Sequence, residues 1–395
     1  MHIGILTNYH LEQVGGAEEA LDRLAGHWHD TGHRVTLIAP PASRPSALRV
    51  WQPQYQVVPV PVPWSSRFGL GRYVRWLQWV DRLAPLDLMV GSDAYWPGHV
   101  THRFWQATGT PYVLYSHGSD CMHGSRFLRR PVCAARLKAA IRDAAGIACI
   151  SRYMRARLEE LASPTGIVRL IPNGWPDEWS QRTPVAPVLS HPYVFAMGRV
   201  VALKGFQTLV QAFAQLDSLR SQVSLVIAGD GPYLQELIQL AKHLGLQPQC
   251  SAPTPGSPAG VYFPGMVHGE LKRALATHAT VGVCPSIRQE PLGMVVLEML
   301  TLGVPVLASR VGGLGDLIRD GENGELFSAE DVTDLAARLK RILGQPAGRD
   351  QLAGHAASSV AHLSWRQVAD DYLQLFTEVL RQYPRQGASS HRLAA

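Results

Sequence analysis

The 395-residue chain reads as an α/β protein made of two doubly wound units in tandem. Three observations predict this. The length exceeds what one ordinary hydrophobic core organises, so two domains are expected. Continuous apolar runs alternate with helix-period segments, the mark of parallel strands buried on both faces. The same opening (strand, glycine-bearing loop, helix, strand) also occurs twice, once at the N-terminus and again from Tyr193.

In the first unit, residues 2–8 form an apolar strand, Gly15-Gly16 lies in the loop, and a helix runs from about Ala17 to Trp28. Gly32-His33 then turns the chain into the strand Val35–Ala39. Residues 40–66 hold seven prolines and read as extended chain or loop. Tyr112–Tyr115 is a further strand. The second unit opens with the strand Tyr193–Gly198, the loop bearing Lys204-Gly205, a helix from Phe206 to about Leu216, and the strand Ser224–Ala228 ending in Gly229-Asp230-Gly231. Val261–Phe263, stopped by Pro264-Gly265, precedes a helix from Glu270 to Thr277. The strand Val281–Cys284, a helix from Pro291 to about Leu302, the strand Pro305–Ala308 and a turn at Gly312-Gly313 follow. Pro184, Pro187 and Pro192 punctuate residues 180–192, which sets the division: 1–185 as first domain, 186–364 as second. A last helix spans Trp365 to about Arg381, and the tail from Pro384 is expected to fray.

Composition narrows the class. A hydrophobic fraction of 46% with 17% charged residues is that of a packed protein, not a disordered one. No apolar run approaches the roughly 18 residues of a membrane span, and His2–Thr7 reads as a strand without the basic lead of a signal peptide. Five scattered cysteines with no C-x-x-C pair predict reduced thiols in the cytosol and no zinc site. The net charge of +6 resides in residues 1–185, with 20 Lys+Arg against 14 Asp+Glu, nearly all of the basic residues being Arg. That fits phosphate-bearing partners or an anionic membrane surface, or simply an arginine-rich proteome.

Ligands of open parallel sheets bind beyond the carboxyl ends of strands, and the informative motifs lie there. In Cys284–Glu298, Pro291 suits the first helical position, which leaves Glu290 in the loop and Glu298 about two turns on. Helical spacing puts the two carboxylates on the order of 12 Å apart, able to hold two ends of an elongated ligand, a sugar and a ribose. Gly293 permits close backbone approach. The amides of Leu292, Gly293 and Met294 offer an anion site at the helix start. Gly198-Arg199 and Lys204 follow another strand, where fixed cations stabilise charge developing on a diphosphate leaving group. Gly15-Gly16 permits a tight loop against phosphate or sugar.

Taken together, these pieces resemble glycosyltransferase family 4, the retaining transferases of GT-B fold. The matching segments are Gly15-Gly16-Ala17-Glu18, Ser116-His117-Gly118, Ile171-Pro172-Asn173-Gly174, Gly198-Arg199 with Lys204-Gly205, Ala228–Pro232, Pro264-Gly265, the Glu290–Glu298 segment, and Gly303 with Pro305-Val306 before Gly312-Gly313. The resemblance implies two facing Rossmann-like domains with a cleft between them, and a C-terminal helix (about 365–382) returning to the first. It implies that Glu290 binds donor-sugar hydroxyls, Glu298 the ribose, Arg199 and Lys204 the diphosphate, and residues around Met266 the nucleobase. His117 would stand beside the donor sugar, and Asp120 and Asn173 near the acceptor. Transfer would retain anomeric configuration and use no cofactor or metal, since no D-x-D-type loop is present and the two cations can stabilise the leaving group.

The nucleotide base, sugar and acceptor stay open. A UDP- or GDP-sugar as donor and a glycan, lipid-linked or small-molecule acceptor are expected, in cell-envelope polysaccharide or glycolipid synthesis. Trp64, Arg67, Arg72, Tyr73, Arg75, Trp76, Trp79 and Arg82 suit a membrane interface, or else an ordinary helix with solvated arginines. The location expected is cytoplasmic, with possible peripheral membrane contact. No nucleic-acid partner is expected. A nucleotide-sugar epimerase and a catalytically silent scaffold are the rival functions. A dinucleotide-dependent dehydrogenase fits poorly, because no G-x-G-x-x-G follows the first strand.

Overall fold

The computed structural model describes residues 1–11, 15–41, 52–60, 69–118, 120–176, 179 and 185–385. The chain divides into two compact units, Met1–Gly174 with Trp365–Ala395, and Trp175–Ser364. The change of unit thus falls between Gly174 and Trp175, upstream of the proline-punctuated stretch at 180–192. Its chemistry explains the position. The Trp175 amide donates to the Leu363 carbonyl (2.9 Å) and its indole to that of Val360 (3.0 Å), while a Cβ on Gly174 would strike Trp365 at 2.7 Å.

The first unit is a seven-stranded parallel sheet of order β3-β2-β1-β4-β5-β6-β7. Its elements in chain order are β1 (His2–Leu6), α1 (Gly16–Asp30), β2 (Arg34–Ala39), β3 (Gln56–Pro59), α2 (Gly69–Leu83), β4 (Leu88–Gly91), α3 (Trp96–Thr108), β5 (Tyr112–Ser116), α4 (Pro131–Arg142), β6 (Gly146–Cys149), α5 (Arg152–Leu161) and β7 (Ile167–Leu170). The central strands β1, β4, β5 and β6 are buried along their whole length, as continuous apolar runs require. Within the proline-rich stretch, Gln56–Pro59 pairs with β2 as an edge strand, where proline costs no ladder bond.

The second unit repeats the plan with order β10-β11-β9-β8-β12-β13-β14. It contains β8 (Tyr193–Met197), α6 (Phe206–Ala214), β9 (Ser224–Ala228), α7 (Leu234–His243), β10 (Pro248–Gln249), β11 (Val261–Tyr262), α8 (Gly269–Thr277), β12 (Val281–Cys284), α9 (Met294–Thr301), β13 (Val306–Ser309), α10 (Leu314–Leu317), β14 (Gly324–Phe327), α11 (Val332–Gly344) and α12 (Pro346–Val360). A core including Phe206, Leu209, Phe213, Leu225, Ile227 and Leu335 packs one face of this sheet against α6, α7 and α11.

The last helix, α13 (Trp365–Gln382), belongs to the first unit. Its buried stripe Trp365, Val368, Ala369, Tyr372, Leu375, Phe376 and Val379 follows helical spacing. On α1, the Trp28 indole donates to the Ala369 carbonyl (3.1 Å), with its ring edge-on to Tyr372 and Phe376. The start of the tail is tied down, because Arg385 bonds both oxygens of Asp81 (3.2 and 2.5 Å). Residues 386–395 lie outside the described ones. No helix among the described residues is long and apolar enough to cross a membrane.

Candidate functional site

The chain order reverses direction between β1 and β4 in the first unit and, apart from the exchanged edge strands β10 and β11, between β8 and β12 in the second. Neighbouring connections leave a crevice at such switch points, where α/β sheets bind ligands.

At the second unit's switch point the loops after β8 and β12 are laced together. The Ile287 amide donates to the Leu203 carbonyl (3.0 Å). Gly205, at φ 70°, lies so close that a Cβ would sit 1.8 Å from the Pro285 carbonyl oxygen. This lacing carries Lys204 to Glu290, with Nζ 2.6 Å from Oε2. The Ser286 hydroxyl donates to the same oxygen (3.0 Å). Burial disfavours the Lys204 charge, but the Glu290 carboxylate outweighs it, and the lysine pKa stands above its usual value. Behind Glu290, its carbonyl accepts the Gly313 amide (2.7 Å), and Gly312 at φ 54° fits against the Glu290 backbone. The neighbouring Cys284 thiol is pushed up to about 11 by burial and by the Glu290 charge, so it is neutral. Arg199 is exposed just beyond β8, and its charge acts on Lys204.

Glu298 lies on α9, 7% exposed, and Lys272 of α8 reaches it at 2.8 Å. The Lys272 ammonium also stands over the Trp179 ring, 5.4 Å from its centroid. Lys272 and Ser286 escaped the sequence reading. Ser286 sits two residues beyond β12 in the loop already singled out. Lys272 reads as an ordinary surface lysine of an amphipathic helix, with nothing to mark it.

The helix expected from Pro291 begins instead at Met294, with Gly293 as its cap at φ 100°. A left-handed glycine ends the loop, so Pro291 and Leu292 precede the helix. Leu292 is therefore not a first-turn amide donor, and the 12 Å figure, which assumed unbroken helix, does not apply. Met266 is half exposed between β11 and α8. Gly16 starts α1 and Gly15 caps it, with residues 12–14 outside the described ones.

In the first unit, His117 follows β5. Its amide donates to Asp93 (3.3 Å), and its ring lies 4.1 Å from that of Tyr115 and 5.6 Å from that of Tyr9. Burial lowers its pKa to about 3, so the imidazole is neutral at physiological pH. Asp120 is buried, accepting the Tyr95 amide (2.6 Å), and Asn173 is buried, accepting the Tyr115 hydroxyl (2.6 Å). Burial raises the Asp120 pKa. Asp93, which also escaped the sequence reading, carried the same mark as the other candidates: it follows a strand, β4, at the switch point.

A model of Glycosyltransferase Family 4 matches residues 14–179, and one of glycosyl transferases group 1 matches residues 177–358. The two matches adjoin and together cover residues 14–358, so the chain is a glycosyltransferase of GT-B fold. The transferase is 26% identical over 369 residues to the GDP-mannose-dependent alpha-(1-6)-phosphatidylinositol monomannoside mannosyltransferase of Mycolicibacterium smegmatis, covering 87% of this chain and 89% of that one. It is 27% identical to the alpha-D-kanosaminyltransferase of Streptomyces kanamyceticus, covering 88% and 95%. In fold it resembles a sucrose-phosphate synthase from Thermosynechococcus elongatus, with TM-score 0.77 at 22% identity over 96% of this chain and 99% of the other. It is thus a GT-B enzyme with two Rossmann-like units, acting on nucleotide-sugar donors.

Proposed function

We propose that the transferase moves a sugar from a UDP- or GDP-sugar, with retention at the anomeric carbon, onto a glycan, lipid-linked or small-molecule acceptor in cell-envelope glycan or glycolipid synthesis. The observation that carries this reading is the Lys204–Glu290 pair at the switch point of the second unit, one loop away from Glu298. As the anomeric C–O bond breaks, its electron pair goes to the diphosphate, whose growing charge Arg199 and Lys204 stabilise. Glu290 accepts hydrogen bonds from sugar hydroxyls, Glu298 accepts those of the ribose, and Met266 faces the base. A diphosphate oxygen takes the acceptor proton on the same face, so no second carboxylate is needed, in contrast to glycosidases. His117 serves the transfer from the first unit, and Asp120 and Asn173 support the acceptor side. The two cations supply the charge stabilisation, and the reaction is metal-independent.

The reading also takes the enzyme to work in the cytoplasm, peripherally on a membrane. One arc of α2 supports this: Arg72, Arg75, Trp79, Arg82 and Leu83 are exposed together, with Trp79 51% and Leu83 66% accessible, opposite a stripe of Tyr73, Leu77 and Asp81. Tyr73 is buried and so drops out of the surface named from sequence, while Trp64 and Arg67 lie outside the described residues.

The test is a thermal-shift screen of UDP-, GDP- and ADP-sugars, run with EDTA and with Mg²⁺. The cognate donor raises Tm by mass action in both conditions, and Glu298→Ala removes the shift given by the bare nucleotide as well. Flat responses throughout would sink the reading, and a shift that needs Mg²⁺ would sink its metal-independent part.

A further inference from the structure

At the first unit's switch point, Asp93 is 4% exposed, and both its oxygens are engaged. One accepts the Tyr9 hydroxyl at 2.5 Å, and the other faces the His117 amide at 3.3 Å. Tyr9 stands edge-on to the imidazole, at 83° between ring planes. Tyr115 packs on another side, itself held by the bond from its hydroxyl to Asn173. Asp93 therefore grips His117 twice, directly at the main chain and indirectly through the ring that Tyr9 sets against it. The imidazole Nε2 is buried with no hydrogen-bond partner among the described residues, so this clamp leaves one ring nitrogen uncommitted. A buried carboxyl is costly, and nothing in sheet packing calls for one here.

We propose that Asp93, acting with Tyr9, is the positioning residue that sets the main chain and ring of His117 for the transfer reaction. This rests on the reading that His117 serves that reaction. Asp93 acts through His117, whose amide and neighbouring ring it holds. The charged groups facing it are Asp120 and Glu18, both of like sign, besides the Tyr9 hydroxyl. Burial and then the Asp120 charge push the Asp93 carboxyl well above the usual carboxylate range. A neutral amide keeps the shape of such a carboxyl and one acceptor oxygen for the His117 amide, while its NH2 meets the Tyr9 oxygen as a donor, with the hydroxyl of Tyr9 turned round. Asp93→Asn is therefore the conservative variant, and Asp93→Leu the disruptive one of the same branched shape.

The experiment uses the full chain labelled with [15N]histidine, the His117 ring signals being assigned by their loss in His117→Gln. In Asp93→Leu, and independently in Tyr9→Phe, these signals shift and the imidazole pKa climbs towards the ordinary histidine value. Asp93→Asn leaves both in place. Hydrolysis of UDP-glucose and of GDP-mannose gives the second readout, taken with whichever donor turns over. Asp93→Leu lowers the rate about 10- to 100-fold, as expected for a misplacement near 1 Å, and adds less than about twofold in a His117→Ala background, because residues acting as one unit are non-additive. Unchanged His117 signals in Asp93→Leu, or a full loss of rate added on top of His117→Ala, would overturn the positioning role alone. Full activity of His117→Ala would overturn the role of His117 itself and the proposal with it.

Discussion

Gly312→Ala perturbs the turn that fixes the Glu290 backbone without touching any charged group. Gly312 sits at φ 54°, and a Cβ there would lie 2.2 Å from the Glu290 carbonyl oxygen and 2.6 Å from its amide nitrogen. Forcing alanine into the left-handed region costs about 1 kcal/mol. The clash adds to this, because either the turn or Glu290 must move. If the turn yields, the bond from the Gly313 amide to Glu290 is lost, for about another 1 kcal/mol. The expected loss of stability is thus about 2 kcal/mol, read as a Tm fall of roughly 4–8 °C for a unit of this size. If Glu290 moves instead, stability is partly spared and the rate falls, on the order of 100-fold for 1 Å of misplacement. Gly315→Ala is the control: no atom lies within 4 Å of its Cβ and its φ is ordinary, so Tm and rate stay at wild-type values or slightly better. Thermal melts and donor hydrolysis on both variants decide the matter. Gly312→Ala with wild-type Tm and wild-type rate would refute the claim that this turn positions Glu290.

Three further outcomes follow from the same contacts. Glu290→Gln uncovers the Lys204 charge, so bare UDP or GDP should bind several-fold tighter by calorimetry while transfer falls at least 100-fold, in line with charge-assisted bonds of roughly 1.5–3 kcal/mol; weaker binding of the bare nucleotide would count against the pairing. His99, 5% exposed, with neither ring nitrogen partnered among the described residues, has its pKa lowered to about 4 by burial and by Arg136. The unfolded chain binds the extra proton between pH 6.5 and about 4, so folded stability falls with falling pH there, by about 2 kcal/mol at pH 5; His99→Phe should remove that part of the acid slope in urea melts, and an unchanged slope would contradict it. On α2, Trp79→Ser with Arg82→Glu should abolish flotation with anionic vesicles at low salt, and absence of wild-type flotation would dispose of membrane contact.

Much of the fold was legible because buried parallel strands leave an unambiguous trace. Val35–Ala39, Tyr193–Met197 and Ser224–Ala228 are continuous apolar runs, and each is a strand in the structure. The Lys204–Glu290 contact was half legible: both residues follow strands, but only the adjacency of β8 and β12 puts one loop against the other. Lys272 was illegible in principle, because nothing local to α8 announces a partner 26 residues further on. Pro291 misled for a definite reason. Proline suits the first helical position, yet it also suits a loop, and Gly293 in the left-handed region places the helix start beyond it. Asp93 carried the general mark of a strand end and no motif, so only the sheet order singles it out.

The charge pattern of the second unit separates the cations that sequence treated as equals. Lys204 is paired with Glu290 and Lys272 with Glu298, so each lysine is cancelled before any ligand arrives. Arg199 has no ion pair among the described residues and stands exposed beside them. On the proposed donor reading, the net attraction for an incoming diphosphate falls first on Arg199, whose planar fork also suits phosphate oxygens. Arg199→Ala should weaken bare UDP or GDP binding about 10-fold or more, from losing a charge-assisted contact of roughly 1.5–3 kcal/mol, and should flatten the salt dependence of that binding. Lys204→Met behaves differently, because it also uncovers Glu290, which then repels the diphosphate. Adding Glu290→Gln to Lys204→Met should recover the affinity that the uncovered carboxylate repels, whereas in Arg199→Ala it tightens binding only by freeing Lys204 and leaves the arginine contact missing. Wild-type binding by Arg199→Ala would mean that the diphosphate does not meet the arginine first, and an affinity of Lys204→Met unchanged by Glu290→Gln would mean that the carboxylate does not repel it.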